Sequence, residues 1–351
     1  MLSPSLWNPR CVVVLGVESS CDETGAAVAR GPGPQGVELL SNVIASQDDL
    51  HAHFGGIVPE IASRRHVEMI VPVIREAMQR ASVSWDDLDG LAVTNGPGLI
   101  GSLVVGVAAA KALAEARGLP LVGIHHLEGH IYSAAIGQPL PLPALALIAS
   151  GGHTHLVLVR DHGDYQVLGR TRDDAAGEAF EKGARLLGHP NPGAPHHAAL
   201  ADSFRGRIRP LPRARLPGSH DFSFSGVKTA LARRVREGPL SDDQRARLAA
   251  AYQESIATSL VDNATRTAED IGGHLLLLVG GVARNRRLRE LLALRASALG
   301  LSWFIPDPAL CTDNAAMIAA AGLHKLSLVG PDGPAVDVAA NLPLTNWCQA
   351  P

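Results

Sequence analysis

Apolar residues fill positions 12–17, interrupted only by Gly16, and stop at Glu18. A small polar turn follows, and an apolar and small-residue stretch resumes through Ala29. This is the pattern of a buried strand, a turn and a second strand. The phrase returns at 144–159, "ALALIASGGHTHLVLV". Each half also has a later strand that runs through glycines into a helix, at 91–116 and at 275–296. The same elements in the same order indicate an internal duplication. The Pro-rich "GQPLPLPA" at 137–144 separates the copies. The pattern predicts two similar α/β lobes around a cleft, a usual place for a ligand. The second half is longer, which predicts an insertion near 160–250.

Composition narrows the class. The 351 residues are 46% hydrophobic and 19% charged, which suits two globular domains and excludes a disordered chain. A net charge of −3 excludes a chain basic throughout. Residues 204–236, however, carry Lys228 and eight arginines against Asp221 alone, a local charge of +8. Four cysteines without a C-x-x-C pair show no disulfide framework, so a reducing cytosol is expected. "MLSPSLWNPR" lacks the features of a signal peptide, and the apolar run before Glu18 is too short to span a membrane.

Three small-residue turns carry candidate chemistry: "ESSCDET", with the hydroxyls of Ser19, Ser20 and Thr24, and the glycine turns "ASGGHT" and "VGGVARNR". Glycine lets backbone N–H groups approach and face a ligand. The last turn stands at a helix start, where free N–H groups favour an anion. One such turn is ordinarily just a turn. Three in a duplicated frame favour a nucleotide or phosphate.

"HHLEGH" at 125–130 sets His126 and His130 four apart, on one face of a helix. That spacing suits two imidazoles on one cation, or one packed and one solvated histidine. Leu127 stands where the zinc-protease motif H-E-x-x-H needs glutamate, and Glu128 faces away from the pair. Asp313, before an Ala-rich helix, offers a third ligand or an ordinary N-cap. "HAHFGG" (51–56) and "PHHAAL" (195–200) read as solvated loops. His153 and His155 read as a polar strand face.

"GVESSCDETGAAV", "GGIVPEIASRRHVEMI", "TNGPGLIGSLVVGV", "HHLEGH", "SGGHTHLVLV", "DDAAGEAFEKGARLLG", "DFSFSGVKTAL", "GGVARNRRLR" and "CTDNAAMIA" run in order from about 16 to 320. Together they resemble the TsaD family, the tRNA N6-adenosine threonylcarbamoyltransferases once labelled glycoprotein endopeptidases. The resemblance implies an actin-like, sugar-kinase-like ATPase fold, with two duplicated ribonuclease-H-like lobes. The first lobe would take 10–135 with 312–345, and the second 136–311. It implies that His126, His130 and Asp313 hold one divalent metal, with iron the usual ion and zinc the alternative. Ile148, Ala149, Ser150, Gly151 and Gly152 would line the adenylate, and Asn285 would contact it. The family pattern E-A-F-D-K reads here with Glu181, and P-G-G-P reads with Gly193 followed by Ala194. Both positions touch the nucleotide in the family. Ala194 would clash if its φ were positive.

The implied reaction moves a threonylcarbamoyl group from its adenylate to N6 of adenosine 37, in tRNAs reading codons that begin with A. AMP leaves. Asp22 or Glu23 is the candidate base. The Arg-rich 204–236 stretch is the candidate tRNA surface. Phe222 and Phe224 are read as buried rings in preference to base-stacking ones. A TsaB-like protein and a TsaE-like ATPase are the implied partners, with 102–116 as a docking helix, and no membrane is involved. Three alternatives stand beside it: a nucleotide-binding scaffold without catalysis, a metalloendopeptidase, and a small-molecule kinase.

Overall fold

The computed structural model describes residues 12–33, 35–214 and 216–347. Cys11, Arg215 and Cys348 lie outside them, as does the N-terminal stretch read for a leader. β1 (Val12–Glu18) is buried along its whole length. It pairs antiparallel with β2 (Glu23–Gly33), which pairs antiparallel with β3 (Gly36–Ser46). On its other side β1 runs parallel to β4 (Gly90–Gly96), and β4 to β5 (Leu121–His125). The second sheet holds β6 (Ala144–Ala149), β7 (Thr154–Asp161), β8 (Asp164–Arg170), β9 (Leu275–Val279) and β10 (Ser302–Phe304). Strand orders 3-2-1-4-5 and 10-9-6-7-8 are the same topology written in opposite directions. The duplication therefore extends to all five strands of each lobe.

β8 falls within the 160–250 stretch read as an insertion, yet it pairs with β7 as β3 pairs with β2. The added elements are α5 (Ala176–Leu186), α6 (Ala194–Ser203) and α7 (Ser225–Arg236). The sequence pattern hides this because β8, "DYQVLGR", alternates weakly and is only partly buried.

In the first half, α1 (Asp48–Ala52) and α2 (Pro59–Ala81) follow β3, α3 (Ile100–Arg117) follows β4, and α4 (His126–Tyr132) follows β5. In the second, α8 (Asp242–Asp270) precedes β9 and α9 (Arg286–Ala298) follows it. α8 starts on a capping box in which Ser241 and Gln244 satisfy each other's backbone N–H. α10 (Ala315–Leu328) is apolar on almost every side, which demands burial on every side. It packs against β1, β2, β4 and α4. A core cluster joins α10 and α4 to residues from both sheets, including Val14, Val122, Ile148 and Val279. The interlobe seam is thus a packed core, and α4 is held within it.

Several polar readings change. His51 is buried and hydrogen-bonds Gln47, and His197 is buried against the Ala249 carbonyl. Neither belongs to a solvated loop, because α1 and α6 turn these imidazoles inward. Phe222 and Phe224 are buried with stacked rings. Cys21 and Cys311 are free thiols.

Candidate metal and nucleotide site

β5 runs directly into α4, and the His125 ring marks the change by accepting the Leu127 N–H. One helical turn then brings His126 and His130 together, with ring centroids 4.7 Å apart. Asp313 arrives from the far end of the chain. It is not the helix cap, because Asn314 caps α10 by accepting the Met317 N–H. Asp313 is therefore free to face the histidines. Its Oδ1 lies 3.5 Å from His126 Nε2 and 3.2 Å from His130 Nε2. One donor atom from each of the three residues falls within 4.8 Å of the others.

The His130 ring is fully buried, and neither of its nitrogens has a hydrogen-bond partner among the described residues. The short contact to Asp313 thus lacks hydrogen-bond alignment. A buried imidazole without partners is costly, and a cation between Nε2 and the carboxylate removes that cost. Two imidazoles and a carboxylate are the donor set of a borderline divalent ion. The residues fit such an ion.

Glu18, not a candidate from the sequence, supports the group from behind. It is 1% exposed and accepts the Ser20 N–H at 2.6 Å and the Thr94 hydroxyl at 2.6 Å. Its Oε2 is 3.3 Å from His126 Nδ1. With Nδ1 protonated toward Glu18, Nε2 presents its lone pair to the cation site. Burial would raise the Glu18 carboxyl, but neighbouring His126 and the hydrogen bonds hold it low. Burial would lower the His126 imidazole, but the carboxylates of Asp313 and Glu18 raise it to about 9. Asp313 is held well below the usual carboxylate range, as His126 and His130 outweigh its burial. The sequence signal for Glu18 was a carboxylate ending an otherwise apolar strand.

The β1–β2 turn carries Asp22, and Glu23 opens β2 beside this group. His66, also missed, holds the turn: it meets Thr24 Oγ1 at 2.8 Å and the Cys21 carbonyl at 3.0 Å. Burial first, then the charges of Asp313 and Asp22, push the Glu23 carboxyl well up.

The β6–β7 turn stands in the equivalent place in the other lobe. Ile148, Ala149 and Ser150 are buried, so only Gly151 and Gly152 reach the surface. The Ser150 and Gly151 carbonyls accept the Gly177 and Glu178 N–H groups at the start of α5. A Cβ on Gly177 would meet Ser150 O at 2.6 Å and Gly151 Cα at 2.7 Å. Gly280 closes the floor at φ +92°, where a Cβ would lie 2.4 Å from Ala149 O. Asn285 caps α9 through the Leu288 N–H and donates to Gln253. Glu181 accepts the Gly193 N–H at 2.6 Å and the Ala194 N–H at 2.8 Å. Its carboxylate thus caps α6. Ala194 is the first residue of that helix, and Ser82 is the only non-glycine residue with positive φ among the described residues. The clash considered from the sequence does not arise.

Two similar lobes, with a His-His-Asp group on the seam and small-residue turns from each sheet beside it, define an actin-like ATPase-type fold that carries a candidate cation site. Solved structures share that fold. Full-length HypF in its phosphate- and nucleotide-bound form matches with a TM-score of 0.61 at 12% identity, over 92% of this chain and 56% of that one. The activator of 2-hydroxyisocaproyl-CoA dehydratase from Clostridium difficile, with bound ADPNP, matches with a TM-score of 0.52 at 13% identity, over 90% and 95%. A family model described as TsaD, tRNA N6-adenosine threonylcarbamoyltransferase, matches residues 38–320. Proteins of that name from Symbiobacterium thermophilum and Geobacillus thermodenitrificans are 52% and 53% identical, each over 89% of this chain and 91% of the relative. One from Dehalococcoides mccartyi is 48% identical over 95% of this chain and 99% of its own. The chain belongs to the TsaD family of tRNA N6-adenosine threonylcarbamoyltransferases.

Proposed function

We propose that this chain transfers the threonylcarbamoyl group from threonylcarbamoyl-AMP to N6 of adenosine 37 in tRNAs reading codons that begin with A. The observation that carries the reading is family membership along nine-tenths of the chain. The orphaned His130 ring beside Asp313 supports metal dependence. His126, His130 and Asp313 would hold one divalent ion, iron or zinc, which supplies Lewis acidity toward a donor oxygen.

In the transfer, a bond forms between N6 and the carbamoyl carbon. The bond from that carbon to the AMP phosphate oxygen breaks, and its electron pair leaves with AMP. The Ser150 N–H is spent on the His153 carbonyl, so the N–H groups of Gly151 and Gly152 are the ones that would face the phosphate and favour its departure. Asn285 and the α5–α6 loop, which Glu181 of α5 holds by accepting the Gly193 and Ala194 N–H groups, would flank the adenylate. The N6 proton passes to a carboxylate. Asp22, in the β1–β2 turn, is the acceptor assigned here; Glu23, whose carboxyl is pushed up by burial and by the charges of Asp313 and Asp22, is the other candidate. Asp22→Asn tests this assignment. Transfer, read by nucleoside mass spectrometry, falls at least a hundredfold while metal content and thermal midpoint hold. Full transfer in the variant would remove Asp22 from the mechanism.

Exposed Arg205, Arg207 and Arg209, with Arg233 and Arg236 on α7, support a tRNA surface. Arg213 and Lys228 do not add to it, since Asp262 and Asp174 neutralise them. Val67 and Val71 on α2, with Ile100 and Val104 on α3, stand 47–63% exposed on two helices that pack together. That apolar face supports docking of a TsaB-like partner. The TsaE-like partner rests on the family alone. No helix among the described residues is long and apolar enough to cross a membrane, and cytoplasmic action is part of the proposal. Peptide hydrolysis is disfavoured because Glu128, the glutamate on α4, is turned away and accepts the Tyr165 hydroxyl at 2.6 Å.

A further inference from the structure

A pocket of about 640 Å³ opens where both lobes meet residues 341–344. Pro97 comes from the first lobe, His153, His155, Val167 and Arg170 from β7, β8 and the turn before them, and Leu344 from the C-terminal segment. None of Ser150, Gly151, Gly152, Glu181 or Asn285 lines it, so it is separate from the surface assigned to the adenylate. His153 stands between the pocket and the metal group, its ring 6.4 Å from that of His126.

The walls have the chemistry of a nucleobase pocket. Pro97, Val167 and Leu344 are apolar, and the His153 and His155 rings lie 5.7 Å apart. Unstacked bases are commonly held on such ring faces. His155 Nδ1 is buried without a hydrogen-bond partner among the described residues, a polar demand that an incoming base edge can meet. Arg170 is exposed at the wall and has no carboxylate partner among the described residues. It suits a phosphate flanking the inserted base. The volume lies within the range of small-ligand sites and accommodates a nucleoside.

We propose that this pocket receives the acceptor adenine of the tRNA, swung out of its stack, and delivers N6 past His153 to the donor. The proposal rests on the transferase reading and adds the route by which the acceptor arrives. Taking a base out of its stack for chemistry is the general solution for enzymes that modify it.

Val167→Trp tests it. Val167 is 43% exposed on edge strand β8, so the indole fills the pocket without entering the core. With full-length unmodified tRNA and saturating threonylcarbamoyl-AMP, transfer falls at least tenfold. Adenylate affinity and metal content stay unchanged, and tRNA affinity changes less than threefold, because phosphate contacts dominate it. Arg170→Glu gives a second readout at an exposed position: KM for tRNA rises about tenfold, and the salt dependence of binding loses about one phosphate contact. Transfer by Val167→Trp within twofold of the parent overturns the proposal. So does a parallel loss of adenylate affinity, which would make this a donor site. No transfer by the parent chain, even with its TsaB-like partner, would remove the transferase reading and this route together.

Discussion

Glu18→Gln gives opposing effects on metal binding, and pH separates them. The carboxylate fixes His126 from behind, and losing such a contact costs about 10–100-fold in metal affinity. Glu18 also helps raise His126 to about 9, so at neutral pH a proton occupies the imidazole and competes with the metal. Between pH 7 and that value the competition amounts to about 100-fold. Removing one of the two carboxylates that raise His126 relieves part of it. At pH 7 the loss of orientation and the easier deprotonation nearly cancel, and affinity changes by less than about tenfold. At pH 9 there is little proton left to displace, and the full 10–100-fold loss remains. In the parent chain, affinity tightens by about tenfold per pH unit from 7 to 9 and then levels, since a raised histidine loses its proton only as pH climbs through its folded value. The assay is zinc affinity by competition with a chromophoric chelator at pH 7, 8 and 9. The amide also sets a donor against either the Ser20 N–H or the Thr94 hydroxyl, which lowers stability by about 1–3 kcal/mol and is checked by thermal midpoint. A parent-to-variant affinity ratio that stays flat or shrinks as pH rises would overturn the role given to Glu18.

Two further substitutions test the surroundings. Gly177→Ala forces a methyl against Ser150 O and Gly151 Cα, with an expected cost of about 1–3 kcal/mol and weaker adenylate binding, both read by calorimetry. Reversing Arg233 and Arg236 together to glutamate weakens tRNA binding at low salt and flattens its salt dependence, while adenylate binding is unchanged; unaltered filter binding would move the tRNA contact elsewhere.

The duplicated strand–turn–strand and the glycine-to-helix units were legible because fully buried strands read as apolar runs bounded by small residues. β3, β5, β8 and β10 were less so, being short or mixed in burial. The metal group was legible at His126 and His130, where helical spacing does the work. Asp313 stayed open between ligand and cap until Asn314 was seen to take the cap. Glu18 and His66 were not legible as supports, because their partners lie 108 and 45 residues away along the chain. His51 and His197 were misread, since polar loop-like surroundings in sequence concealed buried faces of short helices.

The most direct test of metal-dependent transfer uses unmodified tRNA, threonylcarbamoyl-AMP, a TsaB-like protein and this chain, either chelated or reloaded with metal. His126→Ala serves alongside. Nucleoside mass spectrometry reads the product. Threonylcarbamoyladenosine is expected only from the metal-loaded parent. The same yield from the chelated chain or from His126→Ala would contradict it.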